Sequence, residues 1–116
     1  MTTSTVVDHE QTATGALAAG VPAVEIFDLA QGPSASLACV ITNTGNVNAI
    51  TTVDVARAAR AAGADFAVDV AIGPALGAIA AAASESFELA PQSMRRLRVT
   101  LTSAAGTTYR IAVRVF

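Results

Sequence analysis

The last thirty residues constrain the fold most. In Arg95–Ser103, Leu97, Val99 and Leu101 alternate with Arg96, Arg98, Thr100 and Thr102. In Thr107–Phe116, Tyr109, Ile111, Val113 and Val115 alternate with Arg110, Ala112 and Arg114. A period of two sends one set of side chains to a buried face and the other to solvent or a partner. Ser103-Ala104-Ala105-Gly106 separates the two runs and ends in a glycine free to take positive φ. The spacing predicts a two-stranded hairpin within an antiparallel sheet that packs one face on a core.

Upstream, turn signals recur at fairly even spacing. Ala23–Ala30 alternates Val24, Ile26 and Asp28 against Glu25, Phe27 and Leu29, which predicts a first strand at a sheet edge. Gln31-Gly32-Pro33-Ser34 is a turn. Ser36–Thr42 predicts a central strand, with Leu37, Cys39 and Ile41 on one side and Ala38, Val40 and Thr42 on the other. Asn43-Thr44-Gly45-Asn46 turns the chain into a third strand, Val47–Val55, paired with the second. Asp54–Gly63 reads equally as a short helix, capped by Asp54 and closed by Gly63, or as a loop or strand extension. Ala64–Ile72 predicts a fourth strand whose outer face carries Asp65 and Asp69. Gly73-Pro74 ends it, and Ala75–Ala83 reads as a short helix or a strand. Ser84–Ala90 is the next strand, and Pro91-Gln92 turns into the hairpin. Residues 1–22 lack a sustained period and read as an extended arm, either disordered or ordered on a neighbouring subunit. The domain proper is then 23–116, an all-β antiparallel sandwich of about seven strands with room for one short helix.

A chain of 116 residues can bury one sizeable core without a disulfide or metal. Hydrophobic residues make up 53%, but many are Ala and aromatics are only 4%, so the core is built from small and β-branched side chains. The 14% of charged residues is low for a free monomer and is easier to explain if other subunits cover part of the surface, which points to a homo-oligomer. Cys39, the only cysteine, excludes an intrachain disulfide and reads as a small buried hydrophobe. The N-terminus has neither the basic nor the apolar region of a secretory signal, and the longest nearly uncharged run, 71–84, is too short to span a bilayer. A soluble protein made in the cytoplasm, with no membrane partner, is the expectation.

Charge is unevenly placed. Residues 1–92 hold all nine acids against Arg57 and Arg60, a net −7, while 93–116 hold Arg95, Arg96, Arg98, Arg110, Arg114 and no acid, a net +5. If the two runs form a hairpin, Arg96 and Arg98 share a side with Arg110 and Arg114 and make one basic patch. Such a patch suits a solvated face or docking on an acidic protein surface. It suits nucleic acid poorly, given the acidic total and the lack of interleaved aromatics. No constellation for catalysis is in view. His9 is the one histidine, and a Ser or Cys hydrolase needs a histidine base. Asp8-His9-Glu10 cannot turn three ligands to one metal on an extended chain. Asp54, Asp65 and Asp69 lack the further oxygen ligands calcium needs. Gly73-Pro74-Ala75-Leu76-Gly77 lacks the Lys of a phosphate loop. The reading is a non-enzyme with no cofactor and no metal.

Two stretches carry a resemblance. ITNTGNVNAITTVDV, Ile41–Val55, resembles the second-to-third-strand region of bacterial and archaeal immunoglobulin-like repeat domains of the CARDB type. FELAPQSMRRLRVTLTS, Phe87–Ser103, resembles the turn and following strand of the same domains, with Gln92 where the family usually has Gly. The resemblance implies an immunoglobulin-like sandwich and leaves the ligand open. A free-standing domain of this kind with a polar arm is similar in outline to decoration, or cement, proteins of tailed-phage capsids. That implies a structural protein located in the virion, with the major capsid protein or another virion protein as partner. It would bind through the arm and through Arg95, Arg96, Arg98, Arg110 and Arg114. The alternative is an adhesion or carbohydrate-binding module of a cell-surface assembly, which calls for an exposed aromatic platform.

Overall fold

A computed structural model describes residues 9–28, 35–58, 77–92 and 96–115. These form seven strands: β1 (His9–Leu17), β2 (Ala23–Asp28), β3 (Ala35–Asn43), β4 (Thr52–Ala58), β5 (Ser84–Gln92), β6 (Arg96–Thr102) and β7 (Thr107–Val115). Two antiparallel sheets result, sheet A in the order β1-β7-β3-β5 and sheet B in the order β2-β6-β4. The expected all-β antiparallel sandwich is therefore what the chain forms. Within it, each described strand lies in the opposite sheet from the described strand before it. That interleaving is the jelly-roll arrangement.

The alternating runs explain the layers. Leu97, Val99 and Leu101 on β6 are fully buried, and Ile111 and Val113 on β7 face them from the other sheet. Leu37, Cys39 and Ile41 extend the sheet A side of this core. Burying each such aliphatic side chain stabilises the fold by roughly 1.5–3 kcal/mol. The expected β6–β7 hairpin is thus corrected. Two strands that each carry one apolar row cover those rows by stacking in opposite sheets. Side by side they would leave both rows to be covered by something else. The Ser103–Gly106 connection is built for the crossing. Ser103 is buried, its Oγ donates to Ala49 O at 2.6 Å and accepts from Gly106 N at 3.0 Å, and Gly106 takes φ +92°.

Other expectations are redrawn. The strand expected at Val47–Val55 begins at Thr52, lies in sheet B, and pairs with β6 rather than β3. Val47 is 80% exposed. Within the expected arm, residues 9–17 form β1, paired along their length with β7 and ending on the buried Leu17, so this part belongs to the sandwich. Pro91-Gln92 lies inside β5. From Gly77 to Ala83 the alanine run is neither helix nor strand: Ile79 bridges Ile50, and a turn follows in which Ala82 takes φ +59°. Residues 54–58 of the helix-or-loop stretch are strand. The rest of that stretch, the strand expected at Ala64–Ile72, and Ala75 and Leu76 lie outside the described residues. β2, expected as the first strand, is an edge, and β3, expected as the second, is central, as the pattern predicts.

The crossings at one end converge on Asn43, the last residue of β3. Its side chain is fully buried. Nδ2 donates to Asn48 O (2.9 Å) and Ile79 O (3.1 Å), and Oδ1 accepts from Gly45 N (3.1 Å) and Thr107 Oγ1 (2.8 Å). Gly45 is needed there for space, since a Cβ would collide with Thr107 Oγ1. Replacing Asn43 by Ala leaves four polar groups without this partner and should cost about 3 kcal/mol, read as a lower urea midpoint. Asn43→Asp keeps the two accepting bonds but turns a buried carboxylate oxygen onto the carbonyls of Asn48 and Ile79, so it should cost at least as much as Ala. A cost below about 1 kcal/mol for Asn43→Ala would show that the amide is not a structural centre.

Candidate functional surfaces

The registers define what each outer face offers. Across sheet A, Thr14, Arg110, Thr42 and Ser84 stand in one row. The next row is Thr12, Ala112, Val40 and Ser86, and the next is Glu10, Arg114, Ala38 and Glu88. The middle of this face is short side chains, so it is flat. Its hydroxyls partly satisfy one another, with Thr42 Oγ1 and Ser84 Oγ 2.9 Å apart and Thr44 Oγ1 donating to Thr108 Oγ1 at 2.7 Å. Arg110 is exposed and has no hydrogen-bonded or ion-paired partner among the described residues.

Sheet B presents a different face. Val24, Thr100 and Asp54 form one row, Ile26, Arg98 and Ala56 the next, and Asp28 stands opposite Arg96. The polarity of β2 is inverted: Glu25 and Phe27 point inward while Val24 and Ile26, each 53% exposed, point out. Phe27 decides the register, because a one-residue slip would turn this ring to solvent.

Glu25 is accommodated inside by Tyr109. The phenol crosses from β7 in sheet A and donates to Glu25 Oε2 at 2.5 Å. Gly15, the residue opposite Tyr109 on β1, makes room, since a Cβ there would stand 2.5 Å from the phenol oxygen. Burial, then the hydrogen bond and the negative charge of Glu25, push the Tyr109 pKa up to about 12. Gln11 Nε2 closes the same side of the sandwich by donating to Asp28 O at 2.7 Å.

The five arginines do not form one patch. Arg96 and Arg98 lie half-buried on the outer face of sheet B, while Arg110 and Arg114 lie exposed on the outer face of sheet A, with the core between them. Arg95 is outside the described residues. Arg96, Arg98, Arg114 and Asp28 are all engaged within the chain, so Arg110 differs from the other three described arginines of the C-terminal run. Sequence reasoning missed the Tyr109–Glu25 pair and the Asn43 centre. The one legible signal for the first was a glutamate on the side of β2 that carries Phe27. Cys39 is buried, which pushes its thiol to about 12. Among the described residues no three His, Cys, Asp or Glu side chains come together as metal ligands would.

No protein-family model and no curated protein sequence matches the chain. Solved structures do. A periplasmic inhibitor of g-type lysozyme from Aeromonas hydrophila aligns over 100% of this chain and 93% of its own, with TM-score 0.56 and 11% identity. The Yersinia pseudotuberculosis-derived mitogen aligns over 90% and 84%, with TM-score 0.54 and 17% identity. The pre-peptidase C-terminal domain of a Bacillus anthracis collagenase aligns over 89% and 87%, with TM-score 0.51 and 16% identity. These are similarities of fold: the chain shares the architecture of small β-sandwich domains.

The buried thiol and phenol set an alkaline limit. Both stay neutral in the fold with pKa near 12, against ordinary values of 9.0 and 10.0. The unfolded chain therefore ionises first, so stability should be full below pH 9 and fall as pH rises towards 12. Urea midpoints measured from pH 7 to 11.5 check this. Tyr109→Phe should flatten the upper part of the curve, and an unchanged profile would show that the phenol is not shielded.

Proposed function

We propose that this chain is a non-catalytic structural protein of a virion, a decoration or cement protein that docks on the capsid lattice through the outer face of sheet A, with Arg110 as its anchor. The observation that carries this reading is the composition of that face: flat, small, rich in hydroxyls, and carrying beside its middle row an arginine with no partner among the described residues. Interfaces concentrate their energy in a few anchors, and Arg is enriched among them near the centre of the patch. The occupant is a capsid protein surface offering a carboxylate to Arg110. Many symmetric copies then make a weak single contact strong. The jelly-roll strand order, which recurs in viral capsid and lectin domains, agrees with this role without specifying it.

The change from the expected contact is specific. Docking no longer uses five arginines together, because Arg96 and Arg98 face the other way and are engaged within the chain. The virion location belongs to this proposal. The carbohydrate-binding alternative has less to stand on, since Phe27, Phe87 and Tyr109, the aromatics among the described residues, are all buried.

The test is co-sedimentation of purified variants with empty capsids assembled from the major capsid protein of the same virus. Arg110→Glu should weaken binding at least tenfold with an unchanged urea midpoint, and Arg98→Glu should leave capsid binding near wild type. Equal binding by the Arg110 variant, or a larger loss from Arg98→Glu, would overturn the assignment of the face.

A further inference from the structure

We infer that β1 is an exchangeable strand: it leaves its own sheet A and pairs with β7 of a second copy of this chain, linking copies by strand exchange. The inference deepens the assembly reading and rests on it for its biological use, while the exchange itself is a property of this chain alone.

β1 is held in place by one neighbouring strand and few buried side chains. It is an edge strand, paired only with β7 among the described strands. Of its inward-facing residues Gln11, Ala13, Gly15 and Leu17, only Leu17 is buried. Thr12, Thr14 and Ala16 on the other side are exposed. The attachment is therefore the backbone ladder, Leu17 in the core and the Gln11–Asp28 bond to β2, and all three are reproduced by the same strand from another copy. Contact energy then does not separate the closed monomer from the exchanged pair. The connection and the local concentration do.

The connection is suited to opening. Ala18 to Pro22 are all exposed, so no side chain anchors them in the core. They form a turn in which Val21 N donates to Ala18 O at 3.1 Å and Gly20 takes φ +71°. One further bond, Gly20 N to Ser103 O at 2.8 Å, ties the turn down. Pro22 disfavours helical geometry at Val21 and biases it to extended backbone, the conformation an opened connection needs. Five residues in that form reach up to roughly 17 Å, enough to carry β1 off its own sheet.

The acceptor also selects its register. With β1 gone, Tyr109 and Ile111 border an open edge, and Glu25 loses cover. Only a residue without a Cβ fits opposite Tyr109, because a Cβ at position 15 would stand 2.5 Å from the phenol oxygen and 2.8 Å from Cζ. Gly15 is the one glycine of β1. An incoming β1 is therefore accepted with Gly15 under the ring, which restores Thr12 opposite Ala112. A lattice that holds many copies side by side supplies the concentration that favours the exchanged form.

Two single-cysteine additions test this in the full chain. Thr12→Cys and Ala112→Cys are made separately, and the two proteins are mixed at high concentration and oxidised. Buried Cys39 stays in both. A covalent heterodimer joining these positions requires β1 of one copy on β7 of the other. Thr14→Cys mixed with Ala112→Cys is the out-of-register control, since Thr14 pairs with Arg110. The expected result is at least a tenfold excess of heterodimer in the in-register mixture. Equal yields in the two mixtures, or no heterodimer, would overturn the inference. Native mass spectrometry of the unmodified chain is a readout free of disulfide geometry: dimer is expected on concentration, and a chain that stays monomeric up to about 1 mM would also overturn it. The assay contains no capsid, so failure of the Arg110 docking reading leaves its result unaffected.

Discussion

The buried amide of Asn43 is the interaction on which the rest of the fold depends. A sandwich whose described strands alternate between sheets must cross from one layer to the other again and again. Crossing segments have no ladder partner for their backbone groups, and a buried N–H or C=O left unpaired costs free energy comparable to a lost hydrogen bond. Asn43 meets this demand in four directions, joining the segments around Asn48, Ile79 and Thr107 to the end of β3. Ser103 does the same for Ala49 and Gly106. With these two side chains in place, β6 and β7 can separate into opposite sheets and stack their apolar rows.

That separation decides the surface chemistry. A hairpin would have gathered the arginines on one face. Stacking instead sends Arg96 and Arg98 outward on one side and Arg110 and Arg114 outward on the other. The pairing registers use part of the charge asymmetry along the chain: Asp28 stands opposite Arg96, and Glu10 opposite Arg114. Opposite charges in facing positions favour their registers, by about 0.2–1 kcal/mol each. Arg110 stands between Thr14 and Thr42 with no acid beside it in its row.

Much of the architecture was legible because period-two alternation depends on which face a strand buries, and that is local. Leu97, Val99, Leu101, Ile111 and Val113 are buried as their alternation predicts. Pairing is not local. The same pattern on β6 and β7 serves a hairpin or two stacked sheets, and what separates them lies in the loop, where Ser103 and Gly106 make bonds that no periodicity encodes. The arm was misread for a related reason. Residues 9–17 bury little of their own, so they carry almost no apolar signal, yet β7 supplies a full ladder. Asn43 and Gly45 were legible as a turn, but the buried hub they form depends on Ile79 and Thr107, distant in sequence. Glu25 could not be placed, because its acceptor role is set by Tyr109, eighty-four residues away.

The two arginine pairs occupy opposite faces of one sandwich. The direct measurement is a pulsed electron spin resonance distance between labels at positions 98 and 110. Sheets packed about 10 Å apart, with both labels pointing away from the core, put the labels roughly 20 Å or more apart. A hairpin would bring the two backbones to within about 5–6 Å, with labels side by side. A distribution centred beyond roughly 20 Å is the result this account predicts, and a short distance, with strong dipolar broadening, would contradict it.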